Sequence, residues 1–386
     1  MAADGLRVIV VGGAGGMGRW AVRSIARLGS ASALTVADLD VARAETLCAE
    51  VGAPARPLRL DVTDRAGLLD AFQDHDVVVN TMGPFATFVR PIVSAAIDAG
   101  CHYLDIDDDW QPTLTIFDLD DDARRAGLHV ITGLGGSPGV TNLCAVMAAE
   151  RLDVVRELYT GWKLSGARVV EEAAYPAGKA SAASEHWLHQ CSEPIRAWDN
   201  GGPAWLEPVT PVELDFPGIG LVSSYTMGHP EPITLPRRYP ELRRSLNVQA
   251  GPTWLMELLR DTGRAYAEGR VSLQEGAEIL MNPRRPDTEE PRSPLPIEWA
   301  LAIGERDGAS MSVAAYPLHW HPGLMGGNTG APVAVGVELL RRGQLADVGV
   351  HAPEAAVDPR QFFDLLAPLI DPALGGTHDL IEVVEA

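Results

Sequence analysis

The stretch Leu6-Arg7-Val8-Ile9-Val10-Val11-Gly12-Gly13-Ala14-Gly15-Gly16-Met17-Gly18 decides the fold of this chain. Its first six residues form an apolar run broken only by Arg7, as expected of a strand covered on both faces. Behind the glycines, Trp20, Val22, Ile25 and Leu28 recur at helical spacing between Arg19, Arg23 and Arg27. The stretch therefore reads as strand, glycine-rich turn, helix.

Working outward, the same rhythm repeats. Residues 34–38 read as a second strand and 41–51 as a helix. Residues 59–62, 77–80, 103–106 and 129–132 read as further strands. Helices are expected over 91–99, with Pro91 near the first position, and over 118–126. Regular alternation of this kind predicts an α/β domain with a doubly wound parallel sheet.

The glycines carry the first chemical inference. Gly13-x-Gly15-x-x-Gly18 permits a tight turn, lets a pyrophosphate approach the backbone, and lets the helix pack close to the strand. With Gly16 and Met17, it presents helix N-terminal amides that favour an anion. Asp38 ends the second strand about twenty residues further on, where a dinucleotide's ribose hydroxyls need an acceptor. A carboxylate there repels a 2′-phosphate, so NAD is favoured over NADP. Asp61 and Val62 would flank the adenine, and Asn80, Gly83 and Pro84 follow the fourth strand. All lie at carboxyl ends of strands, where open α/β sheets bind ligands.

Length and composition bound the rest. The chain has 386 residues, enough for two or three domains. Its 31 basic and 52 acidic residues give a formal net charge of −21, which argues against a nucleic-acid or anionic-membrane partner. Cys48, Cys101, Cys144 and Cys191 are too scattered for a metal knuckle or redox pair, which fits a reducing, cytoplasmic setting. No apolar run approaches the roughly 20 residues of a membrane span, and residues 8–11 are too few for a signal segment.

After Asn142 the alternation stops. A helix is expected over 138–150, with Ser137 as N-cap and Pro138 at its first position. Residues 157–164 and 220–227 read as strands, and 299–316 as a hairpin turning at Asp307-Gly308. Asp199 to Gly202 marks another turn, and 181–190 and 252–268 read as helices. Residues 283–296 read as an exposed loop rich in Pro, Arg and Glu. Two helices fall within 331–369, the second capped by Asp358 with Pro359 behind it. These signals divide the chain into a dinucleotide domain (1–142), an α+β domain (143–328) and a C-terminal segment (329–386).

Four segments together resemble the saccharopine dehydrogenase-like family, which includes lysine 6-dehydrogenases. They are residues 13–18, 80–85 (Asn-Thr-Met-Gly-Pro-Phe), 100–107 and 135–142 (Gly-Gly-Ser-Pro-Gly-Val-Thr-Asn). The likeness is dense over 6–145 and patchy beyond. It implies a Rossmann domain, a second α+β domain that holds substrate and pairs two copies into a homodimer, and a C-terminal segment returning to the first domain. It also implies nicotinamide-dependent hydride transfer at a C–N bond of an amino acid or polyamine-like substrate. Where the family often has Gly-Glu, this chain has Asp107-Asp108-Asp109-Trp110, which leaves the substrate open. Two other readings stay open beside it: reduction of a polarised C=C bond, and a non-catalytic dinucleotide sensor.

The substrate element is expected at Ser137, Gly139, Thr141 and Asn142, where a helix N-terminus meets the carboxyl edge of the sheet. An ordinary capped helix explains the same residues equally well. Asp107 is a candidate for holding the substrate amine. Asp105, Asp107 and Asp109 mimic a calcium loop, but Trp110 and Ile116 stand where Gly and Glu are required, so no metal is expected. Amine oxidation needs a base, because the nitrogen must shed its proton before hydride leaves the adjacent carbon. Among the clustered His186, His189, His229, His319 and His321, the first choices are His186 and His229. Glu185, Glu231 and Arg237 are weaker candidates for substrate contacts, Arg237 as a carboxylate clamp or else a solvated surface cation.

Overall fold

The computed structural model describes residues 5–164, 182–284 and 293–386, with the backbone alone for 182–185. It divides into two compact units. One comprises Met1–Leu143 with His319–Leu380; the other comprises Cys144–Leu318 with Ile381–Ala386.

The first unit is built on strands β1 (Leu6–Val11), β2 (Ala31–Asp38), β3 (Ala55–Arg59), β4 (Val77–Asn80), β5 (His102–Asp105) and β6 (His129–Ile131). The second carries β7 (Val154–Lys163), β8 (Ile195–Asp199), β9 (Gly202–Leu206), β10 (Pro211–Phe216), β11 (Gly220–Met227), β12 (Arg244–Ala250), β13 (Glu298–Arg306) and β14 (Ala309–Pro317). The chain then returns to the first unit for β15 (Gly349–His351) and ends in the second with β16 (Ile381–Glu385).

The first sheet has seven parallel strands in the order β15-β6-β5-β4-β1-β2-β3. Strand order therefore reverses between β1 and β4, the place where doubly wound sheets bind ligands. Val8 to Val11 and Val77 to Asn80 are wholly enclosed, which explains why these strands are apolar without alternation. The C-terminal segment is integral to this unit. Its helix Leu324–Arg341 crosses the helix Gly18–Leu28 so closely that a Cβ on Gly330 would collide with Met17 O. At its far end Glu338 accepts from Ser30 Oγ (2.8 Å), Arg341 and Arg342.

Several sequence expectations shift here. The third strand ends at Arg59 instead of beginning there, because only Ala55 to Arg59 find register with β2; Leu60 to Val62 continue as the loop beyond. The helix expected at Pro91 starts earlier, at Phe85, so Pro91 lies in its second turn. The helix after β6 begins at Val140, not Pro138: Gly135 N donates to Pro138 O and pairs with Gly139, which closes the chain into a tight loop first. The last residues leave the first unit, where the sequence places them, because Ile381 to Glu385 complete a ladder with β14. The start of the helix at 181 and residues 285–292 of the expected loop lie outside the described residues.

The second unit is a mixed nine-stranded sheet, β10-β11-β12-β7-β13-β14-β16, with β8 and β9 joined at β12. Alternation along β12 divides its two faces. Leu246, Val248 and Ala250 join Tyr159, Trp299, Leu301 and Phe216 in one apolar core. Ser245, Asn247 and Gln249 point the other way, towards the face over which the helices Ala182–Gln190, Thr253–Ala267 and Leu273–Met281 build a second core with Trp187, Leu188, Met256 and Leu259.

Candidate active site

The loop after β1 is shaped for a pyrophosphate. Gly12 carries the left-handed conformation of the turn (φ +72°); Gly13 is required for space, since a Cβ there would stand 2.9 Å from Val10 O. A Cβ on Gly18 would run into Gly12 O and Thr81 Oγ1, so only glycine lets the helix start this close. That helix has no side-chain cap: Met17 occupies the N-cap position. The amides of Gly16 and Met17 donate to no carbonyl among the described residues. Uncapped amides at a helix start form an anion site.

Asp38 closes the loop from the side. Its Oδ2 accepts from Ala14 N (3.2 Å) and its Oδ1 from Asp40 N (3.0 Å), which fixes the carboxylate at the end of β2. Each oxygen keeps a lone pair for a sugar hydroxyl. Asp61 lies beyond the neighbouring strand, exposed, with Oδ1 held by Thr63 N and Oγ1; Val62 is packed beneath. Asn80 is spent within the fold. It is fully buried, accepts from Met82 N (3.0 Å) and donates to Tyr103 Oη (2.9 Å). Its work is to shape the turn that leaves Gly83 and Pro84 partly exposed at the switch point.

The aspartates after β5 point inward. Asp105 Oδ1 accepts from Gly133 N (2.8 Å) and Asp107 N (3.1 Å). Asp107 accepts from Asp109 N (3.0 Å) and from Thr113 Oγ1 (3.0 Å). Both carboxyls are fully buried. Burial pushes Asp105 up to about 6, against the pull of its two amide donors. Burial, reinforced by Asp105 and Asp109, holds Asp107 well above the usual carboxylate range. Enclosed and already accepting from Asp109 N and Thr113 Oγ1, the Asp107 carboxyl is turned into the fold and not towards a ligand, unlike the expectation that it holds the substrate amine.

The 137–142 element is likewise more structural than expected. Asn142 is fully buried; it accepts from Gly139 N (2.8 Å) and donates to Glu354 Oε2 (2.8 Å). Thr141 is also fully buried, and its amide is bonded to Gly136 O. Ser137 alone keeps partial exposure.

The second unit gathers a polar group on the helix-covered face of its sheet. His229 Nδ1 lies 3.6 Å from Glu231 Oε2, both side chains being buried. Asn247 donates to Glu231 Oε1 (3.0 Å) and Thr160 Oγ1 (3.1 Å), tying the dyad to β12 and β7. The His186 ring meets His229 edge-on at 5.6 Å, and Trp162 lies 5.9 Å away on another side. A histidine backed by a carboxylate that is itself hydrogen-bonded can take and return a proton. The other histidines part company. His189 is exposed against Tyr266, and His321 is buried under Trp20 in the first unit, where burial pulls it down to about 4. Arg237 is exposed at the far end of the helix Glu231–Arg238, where a cation suits the dipole. The Glu185 side chain lies outside the described residues.

Sequence reading passed over Thr160, Asn247 and Gln249. The clue was present: Ser245-x-Asn247-x-Gln249 alternates with Leu246 and Val248, the period of a strand with one polar face.

Residues 8–131 match the family model of the saccharopine dehydrogenase NADP binding domain. Carboxyaminopropylagmatine dehydrogenase of Synechocystis sp. is 26% identical over 252 residues, which is 61% of this chain and 60% of that protein. The alignment thus spans less than two thirds of its relative. Apo saccharopine dehydrogenase (L-Glu forming) from Saccharomyces cerevisiae superposes with a TM-score of 0.61 at 17% identity, covering 99% of this chain and 100% of that one, which establishes a shared fold. The resemblance carried by the N-terminal motifs is borne out, and the loop, the free amides and Asp38 fit NAD or NADP.

Proposed function

We propose that this chain, whose residues 8–131 carry the saccharopine dehydrogenase NADP binding domain, is an NAD(P)-dependent dehydrogenase acting on a C–N bond of an amino acid or polyamine-like substrate. The observation that carries the reading is the match of 8–131 to the saccharopine dehydrogenase NADP binding domain, within which Gly18 is seated against Gly12 and Asp38 is fixed beside the loop.

Nicotinamide, when bound, accepts or gives the hydride at C4. The chain's own residues do the rest. With a dinucleotide bound, the amides of Gly16 and Met17 would hold the pyrophosphate and Asp38 would accept from the adenosine ribose, which favours NAD. His229, oriented by Glu231, takes the proton that the substrate nitrogen loses as hydride leaves the adjacent carbon, and returns it in the reverse direction. His186 meets the buried ring of His229 edge-on. In the first unit, Ser137 and the backbone of the 135–139 loop are the proposed substrate contacts. Asp107, Thr141 and Asn142 hold the carboxyl edge of the first unit's sheet in shape. Four cysteines, all free and buried, support a reducing cytoplasmic setting. We assign the second unit as the homodimer interface on the resemblance, to be checked by light scattering.

The test is absorbance of reduced nicotinamide at mildly alkaline pH. NAD and NADP are offered separately with lysine, saccharopine, ornithine and diamines. Turnover of any of these amines supports the reading. Dinucleotide binding without turnover across the panel rejects it for these substrates.

A further inference from the structure

We infer that the second unit holds a recognition site for an α-amino-acid head group, built on Gln249 and Trp162; this rests on the amine-dehydrogenase reading above. Strand register sets Tyr225, Gln249, Trp162 and Glu298 in one row across β11, β12, β7 and β13, on the same face as Asn247. Cross-strand neighbours share a face, so these side chains stand side by side.

Gln249 is fully buried, and neither its Nε2 nor its Oε1 has a hydrogen-bond partner among the described residues. The indole Nε1 of Trp162, next in the row, is also enclosed and has no hydrogen-bond partner among the described residues. A buried amide with both ends unbonded is rare in a native core, where such groups are satisfied or reserved for a ligand. Here the two side chains offer two kinds of donor, the Gln249 amide and the Trp162 indole, and one acceptor, Gln249 Oε1. Two donors suit a carboxylate, and an acceptor suits an ammonium. The Glu298 carboxylate in the same row adds negative charge for that ammonium. Trp162 and Tyr225 on either side of Gln249 are only partly buried, so the row is not sealed at that level. The row lies beside the dyad, since the Trp162 ring is 5.9 Å from that of His229. A diamine, which lacks the carboxylate, leaves both donors unsatisfied.

The experiment compares L-lysine with 1,5-diaminopentane, two probes differing by one carboxylate. Each is titrated calorimetrically into the full-length protein loaded with NADH, so that no turnover occurs, and each is assayed separately with NAD. The wild type should bind L-lysine at least about tenfold more tightly than the diamine, the worth of one lost charged hydrogen bond. Gln249→Leu and Trp162→Phe should each reduce that ratio to within about threefold. Thermal melts confirm folding, and Trp162→Phe carries the test if the leucine variant fails to fold. Equal affinity in the wild type, or an unchanged ratio in the variants, overturns the site while amine turnover leaves the dehydrogenase reading standing. Head-group-dependent binding without turnover of either amine supports the site and overturns the dehydrogenase reading for these two amines. Binding of neither probe overturns the site.

Discussion

His229 Nδ1 faces Glu231 Oε2 at 3.6 Å, with both side chains closed off from solvent and Asn247 holding the second carboxylate oxygen. Only two residues separate them in sequence, yet the pair is useful because β12 and β7 supply Asn247 and Thr160 beneath it. Glu231→Gln keeps the shape and removes the charge that stabilises a protonated imidazole. We expect kcat for amine oxidation to fall about 10–100-fold, and His229→Asn to lower it by about 10²–10⁴-fold, with dinucleotide affinity preserved in both. Steady-state kinetics alongside dinucleotide titration separates these effects. Full activity in His229→Asn would falsify the base assignment.

Asp38 accepts from Ala14 N and Asp40 N, so its carboxylate is fixed before any ligand arrives. Asp38→Ser removes both a charged acceptor and the repulsion of a 2′-phosphate. The ratio of kcat/KM for NADP over NAD should rise by about 10–100-fold, corresponding to a charged hydrogen bond. An unaltered ratio would place cofactor choice elsewhere.

Gly18 leaves no room for a methyl group between Gly12 O and Thr81 Oγ1. Gly18→Ala must push the helix off the loop. It should cost about 1–3 kcal/mol of stability and abolish measurable dinucleotide binding. Differential scanning calorimetry with and without NAD tests both effects, and a variant that still gains thermal stability from NAD would contradict this account.

Glu338 ties the C-terminal segment to the first unit. Burial alone would raise its carboxyl, but hydrogen bonds from Arg341, Arg342 and Ser30 overrule it and bring it down to about 2. A depressed acid stabilises the fold above its unfolded value of 4.5, and that contribution fades as pH falls towards 2. Glu338→Gln should therefore lose about 2 kcal/mol at neutral pH, allowing for screening of the partly exposed arginines. The gap from wild type should narrow between about pH 4.5 and 2. Denaturant melts across that range would show it, and a gap independent of pH would mean that packing, not ionisation, sets the cost.

The alternation of residues 6–132 sufficed to predict the parallel sheet, and Val77 to Asn80 was read with its observed limits. Local physics explains this: a doubly buried strand must be apolar throughout, and a close helix start admits only glycine, so both leave marks in contiguous residues. The dinucleotide loop was legible for the same reason. Elements whose limits depend on a partner were less so. Arg59 to Val62 has strand composition, but β2 offers register only as far as Arg59. Residues 381–385 are strand only because β14 has a free edge.

The sequence by itself thus determined the doubly wound sheet, the glycine loop and the acid at its side, because each is imposed by neighbours along the chain. Tertiary structure alone decided what the polar side chains do. Asp107 and Asn142 look available in sequence, but burial and bonds to Thr113, Gly139 and Glu354 turn them inward. His186 joins His229 while His189 turns out to Tyr266, although one helical turn separates them. Gln249, unremarked in the linear order, gains its setting from Trp162 one strand away. Burial and cross-strand register arise from residues far apart in the chain, and these set the charge and reach of every candidate group.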